Sequence, residues 1–190
     1  QQIPEVAKTL CEEGHGIGSH GKRPVRPWIM EKKEFENEMK RCFENLTSIL
    51  NCPNKKIGYR APCFSLNDEL LTIIKKIGFT YDSSFINFKS HPLYGEIKLE
   101  KFVNYADGIK KEENFYEFEV STINIFKKNL PISGGGYLRI FPWWFFKSLL
   151  IKYSKKNSLY NFFIHPYELS KNNPNISSLS LKEKVRFNLN

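Results

Sequence analysis

The sequence predicts an α/β protein whose parallel strands are joined by crossover helices. Two observations carry that prediction. Segments with helical apolar spacing alternate with brief extended ones over short links, along most of the 190 residues. The polar residues His20, Arg60, Asp82 and His165 each follow an extended segment, and in α/β barrels that end of the strands carries the chemistry. A hydrophobic fraction of 41% with 26% charged residues belongs to a folded chain and excludes global disorder. The length suits one large domain or two small ones. We expect one over residues 1–190, ending in a polar extension over 168–190.

Each element has its own signal. Ile3, Val6, Ala7 and Leu10 keep helical spacing up to Gly14, a natural helix stop. His15 to His20 is short and glycine-rich, and reads as a strand leaving the core at its C-terminal end. Phe35, Met39, Cys42, Phe43, Leu46, Ile49 and Leu50 form the clearest amphipathic helix, closed by Asn51 and Pro53. Ile57-Gly58-Tyr59 is a brief strand. Ser65-Leu66-Asn67-Asp68 has the form of a capping box ahead of a helix through Leu70, Leu71, Ile73, Ile74 and Ile77, stopped by Gly78. Phe79 to Asp82 reads as the next strand, followed by a long irregular stretch. Phe115 to Val120 alternates like a strand, and Gly134-Gly135-Gly136 reads as a turn. Pro142 suits the first turn of a helix to about Lys156, with Trp143 and Trp144 expected in the core. Tyr160 to Ile164 reads as a final buried strand.

Composition narrows the function classes. The net charge of +9 comes from 23 Lys and only 6 Arg, scattered as doublets such as Lys75-Lys76, which suits a solvated surface better than a nucleic-acid footprint. The apolar run Phe141 to Phe146 is far too short to span a bilayer. Gln1 leads straight into a helical pattern, with no signal-peptide pattern, so a cytoplasmic or cell-envelope location is expected. Cys11, Cys42, Cys52 and Cys63 lack C-x-x-C spacing, which argues against a structural zinc site. Cys42, on an apolar helical face, suits a reduced core residue.

Several segments together resemble the NodB-type polysaccharide deacetylases (carbohydrate esterase family 4). Gly14-His15-Gly16-Ile17-Gly18-Ser19-His20-Gly21 is similar to their second motif, Arg60-Ala61-Pro62 to the third, Tyr81-Asp82-Ser83-Ser84 to the fourth and Phe163-Ile164-His165 to the fifth. The branch associated with exopolysaccharide loci is the most similar, through Gly58-Tyr59-Arg60-Ala61-Pro62, His91 with Tyr94-Gly95, Gly134-Gly135-Gly136-Tyr137 and His165-Pro166-Tyr167-Glu168. The resemblance runs from about Pro4 to Tyr167. It implies an incomplete or distorted (β/α) barrel and hydrolysis of N-acetyl groups on a cell-surface or exopolysaccharide sugar, with a divalent metal such as zinc as cofactor.

Amide hydrolysis of this kind needs a polarised carbonyl, a base for the attacking water and an acid for the departing amine. The resemblance implies His20 as a metal ligand and His165 as the general acid. It further implies Asp82 as the carboxylate orienting His165, and Arg60 as the holder of the base. Pro62 and Cys63 would meet the oxyanion, Cys63 through its backbone N–H, and His91 and Tyr137 are possible sugar contacts. Two departures stand out. The family's adjacent Asp pair has no counterpart among Asp68, Asp82 and Asp107, and would precede Gln1. Pro24 stands where a second metal histidine is expected, four residues after His20. Metal binding is therefore expected to be weak or absent in these residues, and activity impaired. The alternative is a catalytically inactive, deacetylase-like carbohydrate-binding protein. The expected partner is an N-acetylated polysaccharide, with no nucleic acid and no membrane span.

Overall fold

The computed structural model describes residues 4–22, 25–50, 56–88 and 91–169. They fall into two compact units, residues 1–85 with 89–119 and residues 86–88 with 120–190. Most of the 168–190 extension lies outside the described residues.

The first unit begins with α1 (Pro4–Glu12), which turns Ala7 and Cys11 onto the core and leaves Val6 and Leu10 partly exposed. Cys11 is disulfide-bonded, whereas Cys42 and Cys63 are free thiols. After β1 (Ile17–Ser19), α2 (Lys32–Ile49) buries Phe35, Met39 and Cys42, spaced to fall on one helical face. β2 (Ile57–Tyr59) is buried at all three positions, as expected of a strand covered on both faces. Next comes α3 (Asp68–Ile77), which buries Leu70, Leu71, Ile73 and Ile74 and stops at Gly78 in the left-handed conformation. Its cap is Asn67, whose side chain accepts the Leu70 N–H. Ser65, the residue expected to cap, instead donates to the Pro62 carbonyl.

β3 (Tyr81–Asp82) pairs parallel to β2, as β2 does to β1. The stretch read as irregular holds β4 (Val103–Ala106) and β5 (Ile109–Glu112), an antiparallel hairpin closed by Asp107-Gly108, a strong two-residue turn sequence. β6 (Phe115–Phe118) then pairs antiparallel with β5 and parallel with β3. The six strands lie in the order β1-β2-β3-β6-β5-β4, so the sheet is mixed. The parallel sheet with its helices is the architecture expected. The core beneath it joins Phe35, Met39, Tyr59, Leu66, Ile74, Phe79 and Phe115.

The second unit is built on a hairpin, β7 (Thr122–Ile125) with β8 (Lys128–Pro131). It continues into α4 (Gly135–Ile140) and α5 (Trp143–Ser154). Ile123, Ile132, Phe146, Leu149 and Tyr153 are its buried centre. Three expectations are corrected here. Gly134-Gly135-Gly136 opens a helix rather than a turn, with Gly134 at φ 127° as the residue before it. Trp143 and Trp144 are not core but 61% and 74% exposed, because Phe146, Leu149 and Tyr153 take the inner face of α5. Tyr160 to Ile164 is no strand. The Asn161 N–H goes to the Ser121 Oγ and the Phe163 carbonyl takes the Gly135 N–H, so single contacts replace a ladder.

Gly95 shows how tightly the first unit is closed. Its N–H donates to the Phe64 carbonyl, and a Cβ built there would stand 1.9 Å from the Leu66 carbonyl oxygen. Backbone cannot yield as a side-chain tip can. Gly95→Ala is expected to destabilise the protein by about 3 kcal/mol, read as a lower urea midpoint at unchanged m-value.

Candidate active site

Parallel pairing brings three of the predicted residues to one edge. Ser19 pairs with Tyr59, and Tyr59 with Asp82. His20 and Arg60 therefore follow directly on neighbouring strand ends, with Asp82 closing the third. The Arg60 N–H donates to the Ser19 carbonyl, and the His20 Nδ1 meets the Arg60 carbonyl at 2.8 Å. A ring nitrogen facing a carbonyl must carry the proton, so Nδ1 is N–H and Nε2 keeps the lone pair a metal would use. His20 is exposed, on a polar cleft of about 810 Å³ that also takes in Lys22, Glu34, Glu38 and Arg41.

His20 is the residue expected to bind a metal. Among the described residues, however, no group of three or more His, Cys, Asp or Glu side chains gathers to hold an ion. Pro24 lies outside the described residues. The described donors do not by themselves make a metal site.

Arg60 is held below the sheet end. Its Nε donates to the Ser83 carbonyl at 2.9 Å and its Nη2 to the Ser83 Oγ at 2.7 Å. Burial pulls its pKa below the ordinary arginine value, against the attraction of Asp82 and Glu117, and a guanidinium stays charged through such a shift. Asp82 is fully buried; its Oδ2 accepts the Ser84 N–H and its Oδ1 the Ser84 hydroxyl, both at 2.8 Å. The Ser84 Oγ in turn takes the Ala61 N–H at 2.8 Å. The motif Arg60-Ala61-Pro62 is in this way clamped to Asp82-Ser83-Ser84.

Sequence reading missed the residue that completes this cluster. Glu117 is the register partner of Asp82 on β6 and is also fully buried. Its Oε1 accepts the N–H groups of Ser84 and Phe85, at 3.1 and 2.9 Å, while its Oε2 is buried without a hydrogen-bond partner. Two carboxylates side by side in a dry interior cannot both be ionised. Burial raises the Asp82 carboxyl to about 6, against the hydrogen bonds of Glu117 and Ser84 and the charge of Arg60. Burial and the neighbouring Asp82 push Glu117 well above the glutamate range. A proton retained by the pair relieves that repulsion and leaves the remaining charge balanced by Arg60. A signal did exist: Phe115 and Glu117 share the inward face of an alternating strand, and an inward acid needs a partner.

The remaining predicted residues are placed as follows. Pro62 is buried and Cys63 exposed in a short 3-10 turn, with Cys63 at φ 52°. His91 stacks on Tyr94 at 4.0 Å, Tyr94 packs edge-on against Phe64, and the Arg60 guanidinium lies 5.9 Å from the Phe64 ring. Those contacts link His91 to the Arg60 side of the sheet end.

His165 and Tyr137 belong to the second unit. Tyr137, on α4, is half-buried against that unit's own core. The His165 Nδ1 lies 3.2 Å from the Glu168 Oε2, which also accepts the His165 backbone N–H at 2.6 Å. Glu168 further pairs with Arg139. Burial pushes the Glu168 carboxyl up, but the His165 N–H and Arg139 outweigh it and hold it below the usual range. Glu168 thus meets the His165 ring and backbone within the second unit. His165-Pro166-Tyr167-Glu168 has the spacing of a helix-start acid reaching back to its cap N–H, a signal the sequence did carry. Gly135 makes room for it, since a Cβ there would lie 2.3 Å from the Glu168 Oε1, and a Cβ at Gly134 would lie 2.6 Å from the Phe163 ring.

A pH test follows from the paired acids. Because folding raises their pKa, the folded state keeps a proton that the unfolded chain releases above about pH 4. Stability is therefore complete below that value and falls as pH rises towards and beyond 6, by at most about 1.4 kcal/mol per pH unit for one proton. Glu117→Gln, which donates permanently from that position, is expected to flatten this slope between pH 5 and 8. Glu117→Ala leaves the Phe85 N–H unmet, while the Ser84 N–H keeps its bond to Asp82, and is expected to cost about 2 kcal/mol. Urea midpoints across pH check both outcomes.

Comparison with known proteins places the chain in a family. A model of the polysaccharide deacetylase family matches residues 1–81, and one described as a domain of unknown function (DUF3473) matches residues 83–190. A peptidoglycan deacetylase of Helicobacter pylori (strain ATCC 700392 / 26695) is 26% identical over 94 residues, covering 50% of this chain and 31% of that protein. The chain thus spans about a third of the length of that curated relative. Two adjoining family matches cover the strand-end motifs and the region that follows them, and the chain belongs to the NodB-type polysaccharide deacetylases, in the branch that carries the DUF3473 domain.

Proposed function

We propose that the chain takes part in hydrolysing N-acetyl groups from an N-acetylated cell-surface or exopolysaccharide sugar. The observation that carries this reading is the succession of His20, Arg60 and Asp82 on three adjacent parallel strand ends, tied by the 2.8 Å contact of His20 with the Arg60 backbone. The family match supports amide hydrolysis as the reaction class.

The chain's own residues divide the work. Arg60, fixed along its Nε–Nη2 edge by Ser83, presents a cation able to hold a carboxylate base in place. His165, with its Nδ1 turned to Glu168, directs Nε2 to give a proton to the leaving amine. Cys63 lies on an exposed turn directly after Pro62, where its backbone N–H serves a developing oxyanion. His20 is the ligand we assign to a divalent ion such as zinc, which when bound would polarise the acetamide carbonyl. Among these 190 residues the three aspartates are not adjacent, so no Asp pair supplies the base, and we assign low activity to them alone.

The test is acetate release from an N-acetylglucosamine oligomer with added zinc or cobalt. Slow release is expected, abolished by a chelator and lowered by about a hundredfold or more in His165→Ala and in Arg60→Lys. Oligomer binding without any acetate, at every metal tried, overturns the reading in favour of a non-catalytic carbohydrate binder.

A further inference from the structure

Helix α5 carries an outer face that the deacetylase reading leaves unused. Its sequence from Trp143 to Ser154 is apolar nearly all round, the pattern of a helix covered on every side. Its unit covers only one side, through Phe146, Leu149 and Tyr153. Trp144, Lys147, Ile151 and Lys155 follow one another at spacings of three and four on the opposite side, beside Trp143 and Lys152. Trp143, Trp144 and Ile151 leave 61%, 74% and 48% of their surface exposed. Charge on this stretch has a single sign: residues 120–167 hold seven Lys and Arg and no Asp or Glu.

We propose that this face seats the protein on an anionic lipid surface, with α5 lying in the plane of the interface. Indole rings prefer the boundary between headgroups and acyl chains, and Ile151 beside them gains from the acyl side. Lysines at the flanks meet the phosphates of anionic lipids. A sugar platform fits less well. Adjacent tryptophans on a helix point about 100° apart and share no plane, and an exposed isoleucine offers a sugar little. At 12 residues α5 is about 18 Å long, suited to lying on a bilayer and not to crossing it.

The experiment is flotation of the purified chain with vesicles of phosphatidylglycerol and phosphatidylcholine, against phosphatidylcholine alone, with tryptophan emission followed in a Trp28→Phe background. Binding to the anionic vesicles, a blue-shifted emission and release by high salt are expected. A Trp143→Ser, Trp144→Ser, Ile151→Ser variant is expected to partition at least about tenfold more weakly. Because that variant could misfold, Lys147→Gln, Lys152→Gln and Lys155→Gln provide a second test on exposed positions, each expected to weaken anionic binding about fivefold. No association with anionic vesicles, or association that neither set of variants reduces, overturns the proposal. It is equally overturned by a dimer in sedimentation that the first variant dissolves, which would make a second copy the occupant, or by binding to a soluble anionic polysaccharide in place of the vesicles. The assay contains no glycan or acetyl group, so its outcome is separate from that of the deacetylase test.

Discussion

Two buried acids that cannot both be charged set the form of the strand-end site. Asp82 and Glu117 meet across β3 and β6 with no exposed surface, in a place where two negative charges would repel strongly. Retaining a proton relieves that repulsion and balances the remaining charge against Arg60. Everything nearby takes its position from this arrangement. Ser84 is fixed by Asp82 and in turn fixes the Ala61 N–H, while Glu117 receives the chain at Ser84 and Phe85. The turn after β2, and with it the Arg60 carbonyl that meets the His20 ring, is thereby tied to the buried acids.

Much of this was legible in the sequence, for a plain reason. α2 and α3 bury apolar side chains at regular spacing, and regular spacing is what a sequence displays, while the short strands β1, β2 and β3 stood out as brief extended runs between them. The residues after those strands were legible for the same reason, because a polar side chain ending an apolar run is conspicuous. β4, β5, β7 and β8 escaped because much of their surface is exposed, so their residues carry little apolar pattern. Asp107-Gly108 did carry a turn signal, whereas Phe126 and Lys127 take positive φ without any residue type that announces it. Trp143, Trp144 and the run Tyr160 to Ile164 misled in the opposite direction, since aromatic residues signal burial or pairing that the fold does not give them.

The partners of the site were the least legible part. Glu117 lies 35 residues from Asp82, and only a sheet order that skips β4 and β5 brings them together. Spacing along a chain says nothing of that order. Glu168, by contrast, is local to His165, three residues on, so its contact with that ring follows from spacing alone.

The sheet order has a further consequence, in the kinetics of folding. β4, β5 and β6 pair with their chain neighbours across two-residue turns, and such hairpins close within microseconds. Joining β6 to β3 instead closes a long loop and delivers Glu117 to Asp82, a slow, non-local step. Desolvation of the two acids therefore falls late in assembly, after the local structure is formed. The proton must be captured at that moment, which couples the rate of the docking step to the acidity of the surroundings in which the chain folds.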